Sequence, residues 1–196
     1  MGFIMRVCRK NKALLLYFLT AILYGIWGVE VCHAKGKFVK IKQAQLSLTD
    51  NKARLSVNLD FQLSPGAKAA LHSGIALYWD VSIMLKQDQW RGLWCKTLAT
   101  RHYRYSLTYY TLLNNFRVKN EQNKTFRRFS SLHEALLYMQ HFESEQMVIS
   151  GYNKNQCVMS VLSVSFDKEM LPAPLRPVAY FDKQWDLSTK ERQWCE

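Results

Sequence analysis

Residues 53–63 read ARLSVNLDFQL, and the alternation in them has no fault. Ala53, Leu55, Val57, Leu59, Phe61 and Leu63 take every second place, with Arg54, Ser56, Asn58, Asp60 and Gln62 between them. Successive side chains of a strand point to opposite faces, so the pattern predicts a strand with one face in a core and one in water. The rhythm then breaks. Ser64 is placed to cap a helix with Pro65 at its first position, where a missing N–H costs nothing, and Gly74 ends that helix. Alternation resumes over 75–86, with Ile75, Leu77, Trp79, Val81, Ile83 and Leu85 on one face.

Further strands are expected at 38–48, at about 97–110, in NNFRVKN, in KTFRRF and over 156–167. In the 97–110 run, Tyr103, Tyr105, Leu107 and Tyr109 fall on one side and His102, Arg104, Ser106 and Thr108 on the other. SSLHEALLYMQHF (130–142) reads as a helix: Ser131 and Glu134 form a capping box, and Leu132, Ala135, Leu136 and Met139 form an apolar stripe. LPAPLRP (171–177) reads as a proline-stiffened connector. Seven or eight strands and two short helices, joined by hairpin-length turns, predict a mainly β, antiparallel, sandwich-like domain. Leu55, Val57, Leu59, Phe61, Leu77, Trp79, Val81, Ile83, Leu162, Val164 and Phe166 are expected in one core.

The N-terminus belongs to a different kind of segment. Arg6, Arg9, Lys10 and Lys12 precede an uncharged apolar run from Ala13 to Val29, and Cys32 and Ala34 form a small-x-small end. These features describe a secretory signal peptide over 1–34, leaving residues 35–196 as one globular domain. The alternative is an uncleaved anchor, since about 17 apolar residues lie at the short limit for crossing a bilayer. Both versions export the domain, to the periplasm or to the periplasmic face of the inner membrane. Of the five cysteines, Cys95, Cys157 and Cys195 fall in the mature chain. They allow either one disulfide and one thiol, or three separate cysteines with Cys95 and Cys157 buried as small apolar residues.

AQLSLTDNKARLSVNLDFQLSPGAKAALHSGIALYWDVSI, LTYYTLLNNFRV, FSSLHEALLYM and LPAPLRPVAYFDKQWDLS occur in an order and spacing that resembles the bacterial domain-of-unknown-function family numbered 4390 across residues 38 to 190. Ser106 replaces an arginine usual in that family, and Tyr110-Thr111 replaces Asn-Pro, so the resemblance assigns the 106–111 turn no role. It implies an exported cell-envelope protein and a functional link to a membrane sensor kinase, and it transfers no catalytic residue.

No reactive constellation stands out. The mature histidines are His72, His102, His133 and His141, and the last two lie eight apart on the expected helix rather than at a ligand spacing of three or four. No catalytic residue, metal or cofactor is expected. Charge is more informative. The chain holds 27 basic and 15 acidic residues; with the four basic and one acidic residues of 1–34 set aside, 23 and 14 remain. Residues 91–128 hold nine basic residues and one acid, Glu121, interleaved with aromatics. Arg101, Arg104, Arg117, Lys119, Arg127 and Arg128 are therefore expected on one anion-facing surface, with Trp90 and Trp94 as exposed aromatics. Such a surface suits nucleic acid in general, but export points instead to anionic lipid headgroups or an acidic envelope protein. The function expected is a non-enzymatic binding or accessory domain; the alternative is an envelope hydrolase with a site assembled from dispersed residues. N-terminal sequencing of the protein recovered from periplasm is expected to begin at Lys35, and a retained Met1 in a carbonate-washed membrane pellet would establish the anchor instead.

Overall fold

The alternating stretch forms the central strand of the smaller of two sheets. The computed structural model describes residues 38–49, 51–89, 94–149, 151, 153, 156–189 and 191–195. The expected signal segment and Trp90 lie outside them. Strands β1 (Val39–Thr49) and β2 (Lys52–Phe61) form a hairpin that pairs through Thr49 opposite Lys52. On its other edge β2 pairs with two short strands, β7 (His141–Glu143) and β8 (Met147–Val148). The larger sheet has six antiparallel strands in the order β10-β9-β3-β4-β5-β6. They are β3 (Leu77–Gln89), β4 (Trp94–Tyr110), β5 (Asn115–Asn120), β6 (Phe126–Phe129), β9 (Val158–Phe166) and β10 (Arg192–Cys195).

The inner faces of the two sheets share one core. All eleven residues expected there are buried in a single cluster. Aromatic pairs join the two sheets: Phe61 meets Trp79 edge-on at 5.0 Å between ring centroids, and Tyr103 meets Phe142 at 5.0 Å. Helix α1 (Pro65–His72) crosses from the small sheet to the large one. Ser64 is fully buried, and its hydroxyl accepts the Ala67 N–H at 3.1 Å, as an N-cap does. At the other end Gly74, at φ 82°, donates to the Leu71 carbonyl, and Ile75 donates to that of Ala70. That pair of bonds is a Schellman closure, and the positive φ is why a glycine stands there. Helix α1 thus turns the chain over the open end of the core, so that Leu77 can begin a strand in the other sheet.

Helix α2 (Leu132–Gln140) is capped at Ser131, whose hydroxyl accepts the Glu134 N–H at 3.2 Å. The Glu134 carboxylate reaches one residue further back than a regular capping box, to the N–H and hydroxyl of Ser130. Ala135 is buried, and Leu132, Leu136 and Met139 pack against the core. The helix stops at Gln140, earlier than the sequence pattern indicates. His141 and Phe142 extend into β7 instead, because Phe142 fills the inner face opposite Val57. His133 and His141 therefore do not share a helix.

A third helix, α3 (Arg176–Phe181), begins inside the stretch read as a connector; Pro177 sits in its first turn, where the lost N–H has no partner to lose. Ser188, Thr189 and Arg192–Cys195 then lace the outer edge of β9. Ser188 accepts the Phe166 N–H, Thr189 exchanges bonds with Val164, and β10 completes the sheet. Cys157 and Cys195 are bridged, with their Cα atoms 5.8 Å apart, well within disulfide range. Cys95 is free and exposed rather than buried. The clustered core, both sheets and the bridge all fall within Val39–Cys195, so the unit Lys37–Glu196 contains what it needs to fold on its own. Truncating Leu59→Ala in that core is expected to cost about 2–5 kcal/mol in urea denaturation.

Candidate functional site

Residues directly opposite each other in an antiparallel ladder share a face, which sorts the basic residues. Leu107 pairs with Val118 and Tyr109 with Phe116, and all four pack into or against the core. Arg104, Arg117, Lys119 and Arg128 therefore project from the outer face of the large sheet. Arg101 and Arg127 have the other parity: Arg101 stands opposite Ile83, and Arg127 opposite Val118. The Arg101 guanidinium donates to the Thr100 carbonyl, and that of Arg127 lies 5.1 Å from the ring centre of Tyr138 on α2. The six residues are thus divided four and two between opposite faces.

Two of the four outer cations are already neutralised. Arg104 grips Asp80 across the β3–β4 ladder with two hydrogen bonds, of 2.7 and 2.9 Å, and reaches Asp167 at 3.2 Å. Its pKa is raised further, first by the bond to Asp80, against the opposing effect of burial. Lys119 pairs with Glu121, whose carboxylate also accepts the buried Ser106 hydroxyl at 2.6 Å. Burial pushes the Glu121 carboxyl upward, but the bonds from Lys119 and Ser106 outweigh it and hold the pKa below the usual carboxylate value.

Arg117 and Arg128 are left as a different kind of pair. They stand directly opposite each other on β5 and β6, the arrangement in which like charges repel most. The Arg117 guanidinium lies 3.6 Å from the Phe126 ring centre and donates to the Tyr110 hydroxyl at 3.1 Å. Its Nε is buried without an acceptor. Arg128 approaches the same Phe126 ring at 5.4 Å. Neither arginine has a carboxylate partner among the described residues. Their support is aromatic, which holds a guanidinium in place without cancelling its charge. Trp94, at the start of β4, is 70% exposed. The residues that decide this arrangement without carrying a sequence signal are Asp80, Asp167 and Tyr110. They become partners only through strand register and the path of the chain after β9.

A second feature opens between the sheets beneath α2. It is a cavity of about 150 Å³ lined by Leu59, Phe61, Trp79, Val81, Phe142 and Val164, with Tyr105, Tyr138, Met139, His141 and Glu143 completing the wall. Burial pushes the Tyr105 phenol up to about 12, so it remains a neutral hydrogen-bonding group. A space of that size and lining accommodates a benzene-sized apolar group. Of the four histidines of the domain, His141 lines this cavity, together with Glu143, whereas His72 packs on Tyr109 and Phe116 and His102 is on the large sheet. Among the described residues, no serine or cysteine donates to a histidine, and no three His, Cys, Asp or Glu residues gather to hold a metal. The Cys95 thiol donates to Asp88, which raises its pKa and disfavours the thiolate.

Two tests follow from the unequal roles of these charges. Arg104→Glu should destabilise the domain by about 2 kcal/mol, because it sets a third carboxylate against Asp80 and Asp167, whereas Arg128→Glu should stay within about 0.5 kcal/mol of the parent. Because the folded-state pKa of Glu121 is depressed, its contribution is complete above the ordinary carboxylate value and is lost as pH falls through the folded one. Chemical denaturation as a function of pH should show Glu121→Gln losing part of that acid-side dependence.

Comparison with known proteins adds one match. The family model described as a domain of unknown function (DUF4390) covers residues 37–195, the whole two-sheet unit. No curated protein and no solved structure matches the chain. The chain belongs to the DUF4390 family of domains of unknown function.

Proposed function

We propose that the protein is an exported, non-enzymatic binding domain of the cell envelope that engages anionic lipid headgroups through Arg117 and Arg128. The observation that carries this reading is the uncompensated guanidinium pair. Two like charges fixed opposite each other on β5 and β6, with aromatic rather than carboxylate neighbours, store a repulsion that an anion between them relieves. A phosphate matches the geometry and hydrogen-bonding capacity of guanidinium groups.

The bridge between Cys157 and Cys195 supports the export half of the proposal, because disulfides persist in oxidising compartments. The basic head and apolar run of residues 6–29 support it independently. A membrane-face accessory domain also accords with the sensor-kinase link that the family resemblance implies.

The test is sedimentation of residues 37–196 with vesicles of phosphatidylcholine alone or mixed with equal parts phosphatidylglycerol. Binding to the anionic vesicles should weaken steeply as salt rises from ~0.1 M, where the Debye length is ~10 Å, to ~1 M, where it is ~3 Å. A basic residue near an anionic surface is worth about 1 kcal/mol, so Arg117→Glu with Arg128→Glu should weaken binding at least about 30-fold. Arg101→Glu with Arg127→Glu, on the opposite face, should change it far less. Equal binding to both vesicle types, or indifference to the first double reversal, would overturn the proposal.

A further inference from the structure

One end of the sandwich carries large apolar side chains that lie open to solvent. The β4–β5 hairpin closes through a 3-10 turn, Thr111–Leu113, in which Leu112 is 101% exposed and Leu113 62%. These leucines are not needed for the turn: Asn114, at φ 45°, supplies the left-handed residue that reverses the chain. On α3, Val178 and Phe181 are three residues apart on one helical face, with Phe181 90% exposed.

Strand register places the hairpin turn at one end, the one where β1 begins, and the path of the chain after β9 brings α3 to the same end. Val39, the first residue of β1, pairs with Phe61, the last of β2, and Phe61 packs on Trp79 near the start of β3. His72, the last residue of α1, meets Tyr109 and Phe116 beside the hairpin turn. Phe166 closes β9 opposite Trp79, and Arg176 of α3 donates to the Leu171 carbonyl just beyond it. Only β3 separates β9 from β4, so their ends lie two inter-strand spacings apart, about 10 Å.

We propose that this end of the domain docks on a bilayer, with Leu112, Leu113 and Phe181 entering the interface. Tyr110 and Arg117, on the adjoining outer face, then meet the headgroups. The proposal rests on the headgroup reading above and adds to it an apolar contact and an orientation. A bilayer rather than a protein groove is favoured by the path of the chain. The apolar run Ala13–Val29 precedes β1, and only residues 30–38 separate the two. Nine residues span roughly 30 Å at full extension. In the anchored form of the chain, and in the secreted form until the cut after Ala34, this span keeps the β1 end within about that distance of the bilayer. The chemistry fits as well: apolar side chains at a tip, with tyrosine and arginine behind them, follow the polarity gradient of an interface.

The vesicle assay with residues 37–196 separates this contact from the charge contact. Leu112→Ser with Leu113→Ser should weaken binding to phosphatidylglycerol-containing vesicles at least about tenfold while leaving its salt dependence intact. Phe181→Ser should give a smaller loss of the same kind. Both leucines are exposed, so an unchanged melting temperature is expected and serves as the folding control. Retention of full binding by the leucine variant would overturn end-on docking, and the arginine reversal would still decide the headgroup reading. Wild-type domain that ignores vesicles yet binds an acidic protein would overturn this docking too.

Discussion

The indole of Trp79 meets Phe61 of the small sheet edge-on, meets Phe166 of the neighbouring strand at 5.3 Å, and donates its N–H to the Leu187 carbonyl at 3.2 Å. Through these contacts one buried side chain joins three parts of the chain that are distant in sequence. The bond to Leu187 satisfies a donor that would otherwise be stranded in the core, and it fixes the point after which Ser188, Thr189 and Arg192–Cys195 bond along β9. Gln184, just before that point, accepts the Gly66 N–H at the start of α1. The tail is therefore part of the sandwich's construction rather than an appendage to it.

The long strands were legible because both of their faces were. In β2 and β3, and over Leu162–Phe166 of β9, a period of two has one physical reading, and the residues it assigned inward are the residues of the core. The caps of α1 and α2 were legible for a similar reason, since Ser64, Gly74 and Ser131 each satisfy a local geometric requirement. Strands β7, β8 and β10 were not. They are two to four residues long, and their conformation comes from the edges available to them: β2 for the first two and β9 for the last.

The candidate site was half legible. A cluster of cations with aromatics between them was visible in residues 91–128, but its division was not drawn from the period-two rule that located the core. That rule separates Arg101 from Arg104 and Arg127 from Arg128 without any structure. What no local pattern supplies is the partner set. Asp80 is 24 residues from Arg104, and Asp167 approaches from the far side of β3, after β9. Only the strand register shows that Arg104 and Lys119 are consumed within the sheet, while Arg117 and Arg128 face outward with their charge intact.

The position of β6 gives its two arginines a second consequence. It is the last strand of the large sheet, four residues long, with one side of its backbone ladder unpaired within that sheet. Arg127 points to one face and Arg128 to the other, so a foreign strand adding to this edge would lay its side chains beside a cation on either surface. The far edge of the small sheet is guarded by other means: β1 carries Lys40 and Lys42, and its register shifts between Ile41 and Gln43. A chain whose sheets are not yet complete thus has built-in protection against joining copies of itself edge to edge.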